Sequence, residues 1–161
     1  MLLVALVLVA GCTSEEPRRE RPVVRPGPDR IEELHLFGLP VALELDGRPG
    51  PDGIGVRLYA SARGTARGLA IRRGTLDVLM FEGAVDPELL RTTPPHEVWS
   101  FPATDLQAMS ARTSLGVGYQ LALRWAKRPP RSGAVTVMAR YLSPDGQVLY
   151  SAPDVITTSL R

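Results

Sequence analysis

From Ile31 onward the chain repeats one device: short runs in which every second side chain is apolar. In Gly118-Tyr119-Gln120-Leu121-Ala122-Leu123-Arg124-Trp125, the residues Tyr119, Leu121, Leu123 and Trp125 share one face, and Gln120 and Arg124 point the other way. Ala134 to Leu142 repeats the pattern, with Val135, Val137, Ala139 and Tyr141 inward and Thr136 and Arg140 outward. Ile54, Val56, Leu58 and Ala60 form a third such face, opposite Arg57 and Tyr59. A fourth run, Thr75 to Glu82, sets Leu76, Val78 and Met80 against Asp77, but Leu79 and Phe81 are apolar too, as in a strand covered on both faces. Shorter candidates lie at Ile31 to Phe37, Val41 to Leu45, Glu97 to Phe101, Val148 to Tyr150 and Val155 to Ser159.

The connections fit antiparallel pairing. Ser143-Pro144-Asp145-Gly146 is a tight-turn sequence, with Pro pre-setting φ and Gly accepting a positive φ, and it predicts a hairpin between Val135–Leu142 and Gln147–Tyr150. Helical signal is confined to Thr104-Asp105-Leu106-Gln107, a capping-box pattern with room for one or two turns before Ser110. Eight or nine short strands with one incidental helix predict an all-β fold. The expected form is a single antiparallel two-sheet sandwich over residues 31–161, with a half-open barrel as the alternative.

The apolar run Leu2 to Ala10 breaks this pattern, being too short to span a bilayer, which takes about 20 residues, but fitting a signal-peptide core. It ends in the single cysteine of the chain. Val9-Ala10-Gly11-Cys12 resembles the lipobox of bacterial lipoproteins, in which a branched residue and two small ones precede an obligatory cysteine. The resemblance implies a signal peptide over residues 1–11, cleavage before Cys12, and diacylation of the Cys12 thiol, with no other cofactor expected. It also implies the cell envelope as location and the membrane as partner through the lipid. Thr13 stands where an aspartate would retain such a protein at the inner membrane, which implies the outer membrane, facing the periplasm. No Lys or Arg precedes the apolar core, where a signal peptide carries a positive segment, so the expected translation start lies further upstream. The alternative is a free or buried cysteine after a hydrophobic N-terminal helix, or one that pairs between chains.

Composition then changes the picture only between residues 12 and 30. From Thr13 to Arg30 the chain is Pro, Arg and Glu with only Val23 and Val24 apolar, too little to offset ordering entropy. Four prolines, Pro17, Pro22, Pro26 and Pro28, bias it toward polyproline conformations at ~3.1 Å per residue, a tether with a reach of roughly 50 Å. Arg18, Arg19 and Arg21 offer contacts to acidic headgroups, set against interleaved glutamates. The formal charge of +2 argues against a nucleic-acid partner.

Candidate chemistry is sparse. His35 and His96 have no second ligand at metal spacing, no Gly-x-Ser-x-Gly elbow occurs, and Gly116-Val117-Gly118 lacks the third glycine and helix of a dinucleotide site. Asp46 and Asp52, in a Gly/Pro-rich loop, are candidate ligands for calcium, although Arg48 and Gly50 occupy the third and fifth positions of the loop. The other reading is a rigid connection of turn-favouring residues. Trp99, Trp125, Tyr59, Tyr119 and Tyr141 are either core residues or platforms for a sugar, with Tyr59 the one placed on a polar face. Arg57, Arg72, Arg73 and Arg124 form either a basic face or a plain solvated one. The loop Asp46 to Gly53 leading into Ile54–Tyr59 is similar to small Ig-like or transthyretin-like sandwiches of bacterial envelope proteins, a likeness spanning about Ile31 to Leu160 and implying fold alone. The expectation is a non-catalytic interaction or structural module, possessing an envelope protein as partner, with a glycan- or calcium-binding sandwich as the alternative.

Overall fold

The alternating runs become antiparallel strands in two sheets, in a computed structural model that describes residues 30–126 and 128–158. Cys12, the apolar leader and the Pro/Arg/Glu segment to Asp29 lie outside the described residues. The elements are β1 (Glu33–Leu43), β2 (Gly53–Ser61), β3 (Thr75–Glu82), β4 (Glu97–Pro102), α1 (Ala103–Ala108), β5 (Ser110–Thr113), β6 (Gly116–Arg124), β7 (Ala134–Leu142), β8 (Val148–Tyr150) and β9 (Asp154–Thr157). The first sheet runs β1-β2-β6-β5 and the second β4-β3-β7-β8, with β9 also pairing with β7. The expected all-β two-sheet fold is therefore what forms, with nine strands among the described residues.

Register explains why the core is continuous. Pairing of β2 with β6 sets Ile54 opposite Leu123, Val56 opposite Leu121 and Leu58 opposite Tyr119, so the period-two faces of both strands coincide. All six are at most 2% exposed, and they join Leu76, Val78 and Met80 of β3 and Val135, Val137 and Ala139 of β7 in one cluster. Each large side chain so buried contributes about 1.5–3 kcal/mol, which makes this two-sided layer the main source of stability. Trp99 Nε1 of β4 donates to the Arg124 carbonyl of β6 at 2.8 Å, tying the two sheets at one margin.

Four details differ from the sequence expectations. The runs Ile31–Phe37 and Val41–Leu45 fuse into the single strand β1, whose register against β2 shifts between Gly38 and Ala42. Pro40 sits in that irregularity, where its missing N–H costs no ladder bond, and Gly38 N–H is diverted to Asp154 Oδ2 at 2.7 Å. Strand β5 escapes a reading of alternation because all four of its residues are exposed. The capping box does not form: Pro102 is the N-cap of α1, Thr104 lies inside the helix, and its hydroxyl donates to Asp105. Thr136, expected outward, is fully buried, because the segment after β3 folds across that face. Its hydroxyl donates to Gly83 O at 2.8 Å and accepts from Val85 N–H at 2.9 Å.

That covering segment also accounts for the apolar residues on both faces of β3. Leu79 and Phe81 pack with Met138 and Leu90 in a second cluster on the outer side of the second sheet. Beside it Asp77, 2% exposed, accepts two bonds from Arg140, at 3.0 and 2.7 Å, and one from the Ser100 hydroxyl. Hydrogen bonding to Asp77 raises the Arg140 pKa, so the guanidinium stays charged.

Candidate functional site

The first sheet places charged side chains at both of its ends, and the two ends are built differently. At one end, where β1 runs out, β2 begins and β6 finishes, the 44–52 loop brings Asp46 and Asp52 together around Arg124. Arg124 donates to Asp46 Oδ2 at 3.0 Å, and its Nε lies 3.3 Å from Asp52 Oδ2, an ion-pair contact without hydrogen-bond geometry. The remaining oxygens serve the loop backbone: Asp46 Oδ1 accepts from Arg48 N–H and Asp52 Oδ1 from Leu45 N–H. The cation held between the two candidate calcium ligands is thus a guanidinium of the chain itself. Among the described residues no three His, Cys, Asp or Glu side chains gather as a metal group.

At the opposite end, where β1 begins beside the end of β2, a surface groove of about 470 Å³ opens between the 70–73 turn and the β7–β8 hairpin. Arg30, Arg72 and Arg73 line it, against Asp145. The hairpin forms as the sequence predicts: Arg140 faces Tyr150, Leu142 faces Val148, Gly146 has φ +85°, and Ser143 N–H donates to Gln147 O. Asp145 accepts from the Ser143 hydroxyl, which lowers its pKa, and Arg30 lies 3.8 Å from its other oxygen while donating to Gln147 Oε1 at 3.1 Å.

The turn bearing Arg72 and Arg73 is fixed at its backbone. Ile71, 1% exposed, donates its N–H to the Tyr119 hydroxyl at 2.7 Å. Arg73 O accepts from the Tyr141 hydroxyl at 2.9 Å, and Gly74 O accepts from Ala103 N–H at 3.1 Å. Burial raises the pKa of both tyrosines, which keeps the phenols neutral. Arg72 and Arg73 are themselves exposed and, among the described residues, have no ion pair.

The other candidates separate. Tyr119 and Tyr141 are core residues with polar tips at the groove turn, and Trp125 is buried. Tyr59 does lie on the outer face of the first sheet, its ring over Gly118 and edge-on to Phe37 at 6.4 Å between centroids. With Arg57 and Gln120 it borders a shallow hollow of about 300 Å³. His35, on β1, is 3.2 Å from the Ser61 hydroxyl and 3.8 Å from Glu33. His96, just before β4, is 3.1 Å from Arg128 O and 3.9 Å from Glu82. Gly116 opens β6 at φ +100° with its α-carbon against the Gly68 backbone, a close crossing that has no room for a side chain. Of the four arginines singled out by sequence, Arg57 and Arg124 lie apart from the groove, and only Arg72 and Arg73 share it. Arg30 was assigned to the tether and its place in the groove was missed; the doublet Arg72-Arg73 before Gly74 was the available signal.

No known protein family matches the chain, and no curated protein matches it.

Proposed function

We propose that this protein is a lipid-anchored module of the bacterial cell envelope, held through Cys12 on a Pro-rich tether and acting by interaction rather than catalysis. The observation that carries the reading is Val9-Ala10-Gly11-Cys12 closing a short apolar run. Two or more acyl chains make membrane attachment stable where one is marginal. The engagement of the chemistry-bearing side chains supports the non-catalytic part. Asp77 is held by Arg140, Glu82 accepts from Arg131 and Ser132 backbone N–H groups, Glu97 accepts from Ala126 N–H, and Asp46 and Asp52 face Arg124. Each acts as a strut of the fold. The location that follows is the outer membrane, facing the periplasm, with an envelope protein as partner and no nucleic acid.

Intact mass spectrometry of the membrane fraction tests this, comparing the native chain with Cys12→Ala. A native chain that starts at Cys12 with added acyl mass, and a variant without it, is the expected result; an unacylated native chain refutes the anchor. The second reading, a glycan on exposed aromatics, is favoured by Tyr59 and Phe37 beside Arg57 and Gln120. Calcium in the Asp46–Asp52 loop requires displacement of Arg124. Calorimetric titration with calcium checks it, since silent heats and an unchanged melting temperature remove that ion.

A further inference from the structure

The geometry points to the groove between the 70–73 turn and the β7–β8 hairpin as a binding site for a phosphate-bearing anion, gripped by Arg72 and Arg73 with Arg30 at its rim. Three guanidinium groups and one carboxylate line this groove, a formal excess of two positive charges. Asp145 is engaged by Ser143 and by Arg30, which leaves Arg72 and Arg73 as its uncommitted cations among the described residues. Their backbone is fixed before any ligand arrives, through Ile71 N–H to Tyr119, Arg73 O to Tyr141 and Gly74 O to Ala103. Ligand binding therefore orders only two side chains, and preorganisation of this kind is where affinity is gained. Planar guanidinium forks match the oxygen spacing of phosphate and bind it with charge-assisted hydrogen bonds.

The site also deepens the envelope reading, on which its choice of lipid as one phosphate source rests. Arg30, the first described residue, lines the groove, so the groove lies at the end of the domain where the described chain begins. A phosphate there belongs either to a lipid headgroup or to a soluble anion.

The test uses the full chain carrying Cys12→Ser, so that acylation plays no part, beside the same chain with Arg72→Ala and Arg73→Ala. Two probes are titrated with backbone amide shifts as readout: inorganic pyrophosphate, and nanodiscs of phosphatidylglycerol against phosphatidylcholine. The parent is expected to bind saturably with shifts at residues 71–74 and 143–147, and the double variant to bind about tenfold or more weakly, the scale of one lost charge-assisted contact. Arg112→Ala, on the exposed strand β5, leaves binding unchanged, and Asp145→Asn tightens it. A preference for phosphatidylglycerol that disappears in the double variant assigns the phosphate to lipid, and pyrophosphate binding alone assigns it to a soluble anion. Equal affinity of parent and double variant, or no saturable shift with either probe, overturns the site. Arg72→Gln with Arg73→Gln replaces the alanine pair if that variant fails to fold. Acylation of Cys12 is read independently by mass, so loss of the groove and loss of the anchor are distinguishable.

Discussion

The two ends of the first sheet use the same kinds of residue to opposite effect. At the Asp46–Asp52 end a single arginine sits between two carboxylates whose side chains are each 20% exposed, so its charge is fully taken up and one negative charge is left over. At the Arg30–Arg72–Arg73 end the arginines outnumber the carboxylates, and the hydrogen bonds that fix the turn go through its backbone, leaving the guanidinium groups of Arg72 and Arg73 to face solvent. The difference teaches that charge count alone does not locate a site. What matters is whether an arginine is spent on the fold or only carried by it.

The comparison breaks most visibly at Tyr119. Tyr119→Phe keeps the ring in the core but removes the acceptor for Ile71 N–H, and an orphaned buried donor costs about 1–3 kcal/mol. Urea unfolding checks this; an unchanged midpoint would mean that the turn is not held as described. The same residue sets an alkaline limit. Burial raises its folded pKa above the ordinary 10.0, so its contribution is fully present below about pH 10 and is lost as pH rises toward the folded value. Tyr141 behaves alike, so Tyr119→Phe is expected to flatten part of the alkaline fall in melting temperature and not all of it.

Arg124→Ala comes next in size. It leaves Asp46 and Asp52 facing each other, and since Arg124 is itself 59% exposed the loss is moderated by solvent, at about 1 kcal/mol. Part of that loss is restored by calcium if the vacated carboxylates can take it up, which a melting series with and without the ion reads directly. Smaller still, Arg72→Ala with Arg73→Ala is expected to move stability by less than about 0.5 kcal/mol, as for exposed residues without partners. A large loss there would show that these arginines also serve the fold, and the contrast between the ends would fail.

The smallest effect is at acidic pH. Asp145 has its folded pKa lowered, mainly by the Ser143 hydroxyl, so its contribution is present above its ordinary value of 3.8 and is lost as pH falls through the lower folded value. Between pH 5 and 8 it stays ionised and keeps its grip on Arg30, and groove affinity is expected to be flat across that range on its account.

The first sheet could be read from period-two patterning because its central strands, β2 and β6, bury one face. Val56 and Leu121 announce themselves through Arg57 and Gln120, which point to solvent. The reading failed where tertiary contacts replaced local signals. Thr136 is a polar residue made internal by the 83–90 segment, and β5 has no buried face to alternate. Thr104 gave a capping pattern that Pro102 pre-empted. The candidate ligands Asp46 and Asp52 were correctly placed in one loop, but Arg124 lies over 70 residues away and meets them only through the β2–β6 pairing. The groove was harder to see, since Arg30, Arg72 and Asp145 come from three connections that adjoin only once the sheets close.

Hydrogen exchange of the acylated full chain, compared in neutral detergent, in phosphatidylglycerol nanodiscs and with added inorganic pyrophosphate, tests the central claim most directly. A groove that grips phosphate at the arginine-rich end is predicted to slow exchange at residues 71–74 and 143–147 with at least one of the two phosphate sources and to leave residues 44–52 unchanged. Protection at 44–52, or at neither end with either source, would contradict it.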